Sequence, residues 1–202
     1  MRITGGAFRS RAIRAPRGQG TRPTSDRVRE ALFGILSSAG RIAGARVLDL
    51  YAGTGALALE AVSRGAADAT LVESGRDALE AARANIASLG LQERVRVVAA
   101  DVAVAVARLG RHGPFDLVLA DPPWALVDEG KVEVVLAALA ASGALAPGVL
   151  VVLEHSSRTP APELNVAGLE RVDSRRYGDA ALAFYKPAIL PGPRRERPDS
   201  SE

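Results

Sequence analysis

The sequence predicts an open α/β sheet, mostly parallel, with an antiparallel hairpin at one edge and helices on both faces. Three observations predict it. From Arg46 onward, short apolar runs alternate with helical periodicities, the order that builds crossover units and a parallel sheet. Gly53 and Gly55 fall between the first such run and the helix after it, where a tight turn and close ligand approach call for glycine. Carboxylates stand at or near successive strand ends, at Asp49, Glu73, Asp101 and Asp121, and ligands of open α/β sheets bind outside the strand C-termini.

Taken in order, residues 2–15 are short basic-apolar pieces that fit a small β-hairpin too thin to fold alone. Residues 16–23 form a Pro/Gly-rich connector. A helix then starts near Thr24, its expected N-cap, with Asp26 complementing the dipole and Val28, Leu32, Ile35 and Leu36 as the apolar stripe. The parallel strands are expected at 47–50, 69–73, 95–99, 115–120 and 149–153. Helices are expected from Leu57, over 74–89 with Ser74 and Asp77 as a capping box and Gly90 as its stop, over 102–109, and over 129–141. Gly178-Asp179 separates two last runs, 169–177 and 180–186, and signals the edge hairpin. The chain divides into an arm (1–22), a main domain (23–187) and a Pro/Arg/Ser-rich tail (188–202) expected to be disordered.

Composition excludes several chemistries. The 202 residues contain no cysteine, which removes disulfides, thiolate metal sites and thiol nucleophiles. His112 and His155 are the only imidazoles, so a histidine-rich metal site is excluded and no metal is expected; both are read as structural. Net charge is +3, but residues 1–30 hold eight Arg against two acids while the body is slightly acidic. A basic arm on such a body suits a polyanion. Residues 134–153 carry no charge, yet Gly143, Pro147 and Gly148 break them into helix, turn and strand rather than a membrane span. The glycines and prolines of the first 23 residues also break any amphipathic targeting helix, so a cytoplasmic location is expected. No apolar repeat suggests self-association, and a monomer is the simpler expectation.

Two motifs carry the chemistry. Asp49-Leu50-Tyr51-Ala52-Gly53-Thr54-Gly55 is a strand-to-helix glycine turn with Glu73 twenty residues beyond Gly53, placed for both hydroxyls of a ribose. With Ala58 the glycines also complete the pattern of a nicotinamide dinucleotide site. Against that reading stand polar Asp49 and Tyr51 before the glycines, Asp101 placed to accept from an adenine amine, and a second motif with no role in hydride transfer. That motif, Asp121-Pro122-Pro123-Trp124, ends the fourth strand. The Asp121 carboxylate and the Pro122 carbonyl can hold both N–H bonds of an aromatic amine, localising its lone pair and tolerating charge on nitrogen. Trp124 offers a surface on which a base stacks.

Together these residues resemble the Rossmann-like class I S-adenosylmethionine-dependent methyltransferases over about 46–186. The Asp-Pro-Pro-Trp run is similar to the motif of amino-methyltransferases. Arg2-Ile3-Thr4-Gly5-Gly6, Arg9-Ser10-Arg11 and Arg22-Pro23-Thr24-Ser25-Asp26-Arg27-Val28-Arg29-Glu30 extend the resemblance to the bacterial 16S ribosomal RNA guanine-N2 methyltransferases. That resemblance implies S-adenosylmethionine as cofactor, held by Thr24, Asp49, Tyr51, Gly53, Thr54, Gly55, Glu73, Asp101, Val102 and Asp121. It implies catalysis at Asp121, Pro122, Pro123 and Trp124 on a guanine flipped out of 16S RNA, in the small subunit or its assembly intermediate. Arg2, Arg9, Arg11, Arg14, Arg22 and Arg27 are the candidate RNA contacts. Asp26, with Arg22, Thr24 and Arg27, is expected to fold over the cofactor mouth. The remaining alternatives are an amino-methyltransferase acting on DNA or another RNA, and a non-catalytic nucleotide-binding assembly factor.

Overall fold

The computed structural model describes residues 1–15 and 26–188. Arg22, Thr24 and the tail from residue 189 lie outside the described residues. The chain forms β1 (Arg46–Leu50), β2 (Asp68–Glu73), β3 (Val95–Ala99), β4 (Phe115–Ala120), β5 (Leu145–Ser156), β6 (Leu169–Tyr177) and β7 (Ala180–Pro187). Its α-helices are α1 (Asp26–Ser38), α2 (Ala56–Ser63), α3 (Arg76–Leu89), α4 (Val102–Ala105), α5 (Trp124–Asp128) and α6 (Lys131–Ala141). One seven-stranded sheet runs β3-β2-β1-β4-β5-β7-β6. The first five strands pair in parallel, and β7 runs antiparallel to both neighbours. From β1 the chain builds outward to β2 and β3, then returns to place β4 on the other side. That reversal is a topological switch point, and it opens a crevice at the C-terminal ends of β1 and β4.

Strand alternation divides the core between the two faces. Val47, Leu117, Leu119, Leu150 and Val152 join α1, α2 and α3 on one face. Leu48, Leu50, Val118, Val151 and Leu153 join α4, α5 and α6 on the other.

Four local expectations differ. The Ser74/Asp77 capping box does not form: Gly75 is the N-cap of α3, with no side-chain cap. The Glu73 carboxylate instead accepts the N–H groups of Ser74 and Gly75, at 2.8 and 2.6 Å. The helix expected over 102–109 is α-helical only to Ala105, then tightens into a 3₁₀ turn over Val106–Arg111. The helix expected from 129 starts at Lys131, after left-handed Gly130, and a separate helix, α5, precedes it. Strand β5 is longer at both ends than 149–153. Its pairing with β4 jumps from Phe115↔Leu145 to Leu117↔Leu150, so Pro147 and Gly148 sit in a bulge, where a missing proline N–H costs no ladder bond.

The arm folds back on itself through an Arg2↔Ala12 bridge around a 3₁₀ turn at Gly6–Phe8. It is not a free extension. Ile3 and Ile13 are buried in the α1–α3 core. The Thr4 N–H and hydroxyl both donate to Glu60 of α2, each at 2.8 Å. The Phe8 N–H donates to Ser63 Oγ at 2.9 Å, and that hydroxyl donates to the Gly5 carbonyl at 2.6 Å. Contact is close enough that a Cβ at Gly6 (φ 76°) would lie 1.9 Å from the Ser63 carbonyl oxygen, so only glycine fits.

Candidate active site

The β1 end supplies the centre of the crevice. Asp49 is fully buried and accepts the Ala58 N–H at 3.0 Å through Oδ2, while Oδ1 has no hydrogen-bond partner among the described residues. Burial raises its pKa to about 8, against the Ala58 bond, with the Asp121 and Glu73 charges adding to the rise. A cationic group bound nearby would favour the ionised form of this carboxyl. Tyr51 turns the chain with φ 59°, an uncommon conformation for an aromatic residue, and lies half-buried against the second core. Burial, then the Asp101 charge, raises its hydroxyl to about 12.

The two glycines differ in role. A Cβ at Gly55 (φ 77°) would lie 2.6 Å from Leu71 Cδ2, so Gly55 allows α2 to pack on the sheet. A Cβ at Gly53 (φ 55°) would meet nothing within 4 Å, so that backbone borders open space. The Gly53 N–H donates to Glu73 Oε2 at 2.8 Å. Glu73 thus joins the glycine turn to the start of α3 and stands at the β2 end. Thr54 is buried, and its carbonyl accepts from Asn85 at 3.1 Å.

Asp101 lies past the end of β3, exposed, and caps α4 by accepting the Ala103 N–H at 2.9 Å through Oδ1. Val102 is buried in the second core, so only its backbone can serve a ligand. At the β4 end the Asp121 N–H donates to the Leu50 carbonyl at 3.4 Å, continuing the β1–β4 pairing by one step. Pro122 is buried and Pro123 exposed. Trp124 begins α5, half-buried, and packs against the α1–α3 core. The two motifs therefore meet where β1 and β4 end side by side.

Arg2, Arg9, Arg11, Arg14 and Arg27 are all exposed. Arg2 also donates to the Ser10 carbonyl and Arg11 to the Ser88 carbonyl, each at 3.0 Å. Asp26 is exposed, and its Oδ1 accepts from Arg29 at 2.9 Å. Sequence reasoning missed Asn85, which is 1% exposed. It accepts the Arg14 N–H at 2.8 Å and donates to the Arg14 and Thr54 carbonyls, joining the arm to the glycine turn. An amide beside Ile86 on the otherwise apolar face of α3 was the available signal. Glu60 and Arg29, both fully buried, were missed as well.

Comparisons with known proteins give the family and the fold. Residues 1–186 match the family described as Conserved hypothetical protein 95. The chain is 38% identical over 162 residues to the ribosomal RNA small subunit methyltransferase D of Escherichia coli, covering 80% of this chain and 78% of that protein. The solved structure of Escherichia coli yhhF, provisionally assigned as a methyltransferase, superposes with a TM-score of 0.81 at 35% identity, over 94% of this chain and 99% of that one. The magnesium protoporphyrin IX methyltransferase of Synechocystis, solved with bound S-adenosylmethionine, shares the fold at a TM-score of 0.61 and 15% identity, over 85% and 87% of the two chains. By its motifs, its sheet and its match along nearly the whole described length, the chain belongs to the Conserved hypothetical protein 95 family.

Proposed function

We propose that this protein transfers a methyl group from S-adenosylmethionine to the exocyclic N2 amine of a guanine in 16S ribosomal RNA of the small subunit or its assembly intermediate. The observation that carries the reading is the placement of Asp121-Pro122-Pro123-Trp124 at the β4 end, beside buried Asp49 and the glycine turn. Bound S-adenosylmethionine supplies a methyl on a cationic sulfur, ready for in-line displacement. Asp49, Glu73, the Gly53 backbone and Asp101 fit its polar groups. Asp121 and the Pro122 carbonyl accept the two amine hydrogens, and Trp124 stacks on the flipped base. As the N–C bond forms and the C–S bond breaks, nitrogen gives up one proton, which Asp121 can pass to solvent. The exposed arm arginines meet phosphates, offsetting the few kcal/mol of base extraction.

The test is methyl incorporation into small ribosomal subunits lacking the modification, with the product nucleoside identified by mass spectrometry. N2-methylguanosine at one 16S position is the expected result. Methylation of DNA or of another RNA instead would remove the substrate assignment. Binding to the subunit with no transfer at all would favour a non-catalytic assembly factor.

The raised Asp49 pKa makes a separate prediction. The folded protein without ligand holds a proton there that the unfolded chain sheds. This contribution to stability is therefore present at acid pH and is lost as pH rises from the ordinary carboxylate range to about 8. A cationic ligand favours the ionised form, so binding S-adenosylmethionine at neutral pH is expected to release close to one proton. Calorimetry in buffers of different ionisation enthalpy reads this directly. The release should vanish in Asp49→Asn; heats independent of the buffer in the native protein would contradict the assignment.

A further inference from the structure

We propose that Glu154 is the residue that selects guanine, its carboxylate accepting the N1–H of the target base while Asp121 and the Pro122 carbonyl hold the N2 amine. The inference rests on the base site proposed above and adds to it the means of discrimination.

Register places Glu154 there. Leu119 pairs with Val152 and Ala120 with Leu153, so the next step along both strands sets Asp121 beside Glu154. Leu119 and Val152 belong to the α1–α3 face, Ala120 and Leu153 to the other. Alternation turns Asp121 and Glu154 together onto the α1–α3 face, the face against which Trp124 packs. Glu154 is only 8% exposed. It is also the one polar residue lining a cavity of about 10 Å³ with Leu32, Leu57, Leu119, Ala120, Val152 and Leu182. The carboxylate therefore lines a small apolar cavity on this face, and register sets it one step beyond the Ala120–Leu153 pair, next to Asp121.

An acid closing the apolar run Val149–Leu153 is costly to bury unless N–H or O–H groups donate to it. A carboxylate has room for several donors, so a base N–H adds to the contacts Glu154 makes within the protein. Guanine is the standard base that shows an imino N–H directly beside an amine on one edge. Adenine N1 and cytosine N3, next to their own amines, are bare acceptors and would face the carboxylate with repulsion. Two acceptors side by side thus match guanine and reject the other amino bases. Sites built to hydrogen-bond a group discriminate strongly against analogues lacking it, because their own polar atoms are left unpaired. The second core takes no part, since alternation turns His155 to the opposite face.

The experiment uses small subunits reconstituted on 16S RNA carrying either guanine or 2-aminopurine at the methylated position. 2-Aminopurine keeps the N2 amine but has no hydrogen on N1. The native enzyme is expected to prefer guanine by about 10²-fold or more in kcat/KM. Glu154→Gln can donate its amide N–H to a bare N1, and should narrow that preference by about tenfold or more. Melting temperature and S-adenosylmethionine affinity should stay at native values. Glu154→Asp keeps the charge and should keep the preference at a lower rate. An unchanged preference in Glu154→Gln, or equal loss on both bases, would overturn the proposal. So would a lost preference in Glu154→Asp. A native enzyme that methylates neither base fails at the guanine reading itself, whereas normal guanine methylation with an unaltered Gln variant fails only here.

Discussion

Asp121→Ala is expected to lower methyl transfer by about 10²–10³-fold or more while weakening S-adenosylmethionine binding far less. The carboxylate stands at the β4 end, and its N–H holds the chain to the Leu50 carbonyl whatever side chain follows. The substitution therefore removes an acceptor without moving the backbone that carries Pro122. Asp49, Glu73 and the Gly53 backbone remain to bind the cofactor. Asp121→Asn separates two roles for the same residue. The amide oxygen still accepts an amine hydrogen but cannot receive a proton. If holding the amine dominates, Asn retains much of the rate; if proton acceptance dominates, Asn is as inactive as Ala. Single-turnover transfer with subunits in excess, beside a cofactor titration, checks both variants. Native transfer by Asp121→Ala would place the chemistry elsewhere in the crevice.

The sheet was legible because its signals are local and repeated. Val47–Leu50, Ala69–Glu73, Val95–Ala99 and Phe115–Ala120 are short runs dense in apolar residues, each next to a glycine, a charge or a proline, and each sits within a residue of the observed strand. The motif residues were legible for the same reason, since the turn chemistry of Gly53 and Gly55 is written in their own positions. What escaped depends on pairing between distant segments. Helix α5 is five residues long, and its N-cap, Pro123, makes no side-chain cap, so no start signal precedes Trp124. The ends of β5 were hidden because Pro147 and Gly148 look like a turn until β4 absorbs them as a bulge. Ser74 and Asp77 have the spacing of a capping box, but Glu73, held at the β2 end, takes the Ser74 N–H that the box would use, and the Gly75 N–H with it. Glu154 is set beside Asp121 only by the β4–β5 register. Asn85, Arg29 and Glu60 are polar residues inside apolar helical faces. Their partners lie in the arm, 71, 27 and 56 residues away respectively.

Glu60→Ala is expected to cost about 3–5 kcal/mol of stability, because it leaves a buried guanidinium without its carboxylate. Both Glu60 and Arg29 are fully buried, with Arg29 Nε 3.5 Å from Glu60 Oε2. Arg64 adds a second ion pair to Glu60 at 2.7 Å, and Thr4 gives the same carboxylate two hydrogen bonds. One acid on α2 therefore gathers the arm, α1 and the end of its own helix. Arg29 remains bonded to Asp26, but that partner is 60% exposed at its side chain and much better screened. In a chain of this size the loss corresponds to a fall of roughly 10 °C in melting temperature. Removing both charges together, as Arg29→Met with Glu60→Leu, should recover much of that stability, since a buried pair replaced by apolar side chains is often neutral. The double variant still lacks the Thr4 anchor. The arm should then be cut faster by trypsin at Arg9 and Arg11, even where the melting temperature has returned. Thermal melts with timed proteolysis distinguish the two effects. A single variant melting within about 2 °C of native, below the shift expected from even one lost buried partner, would mean that the pair contributes no net stability.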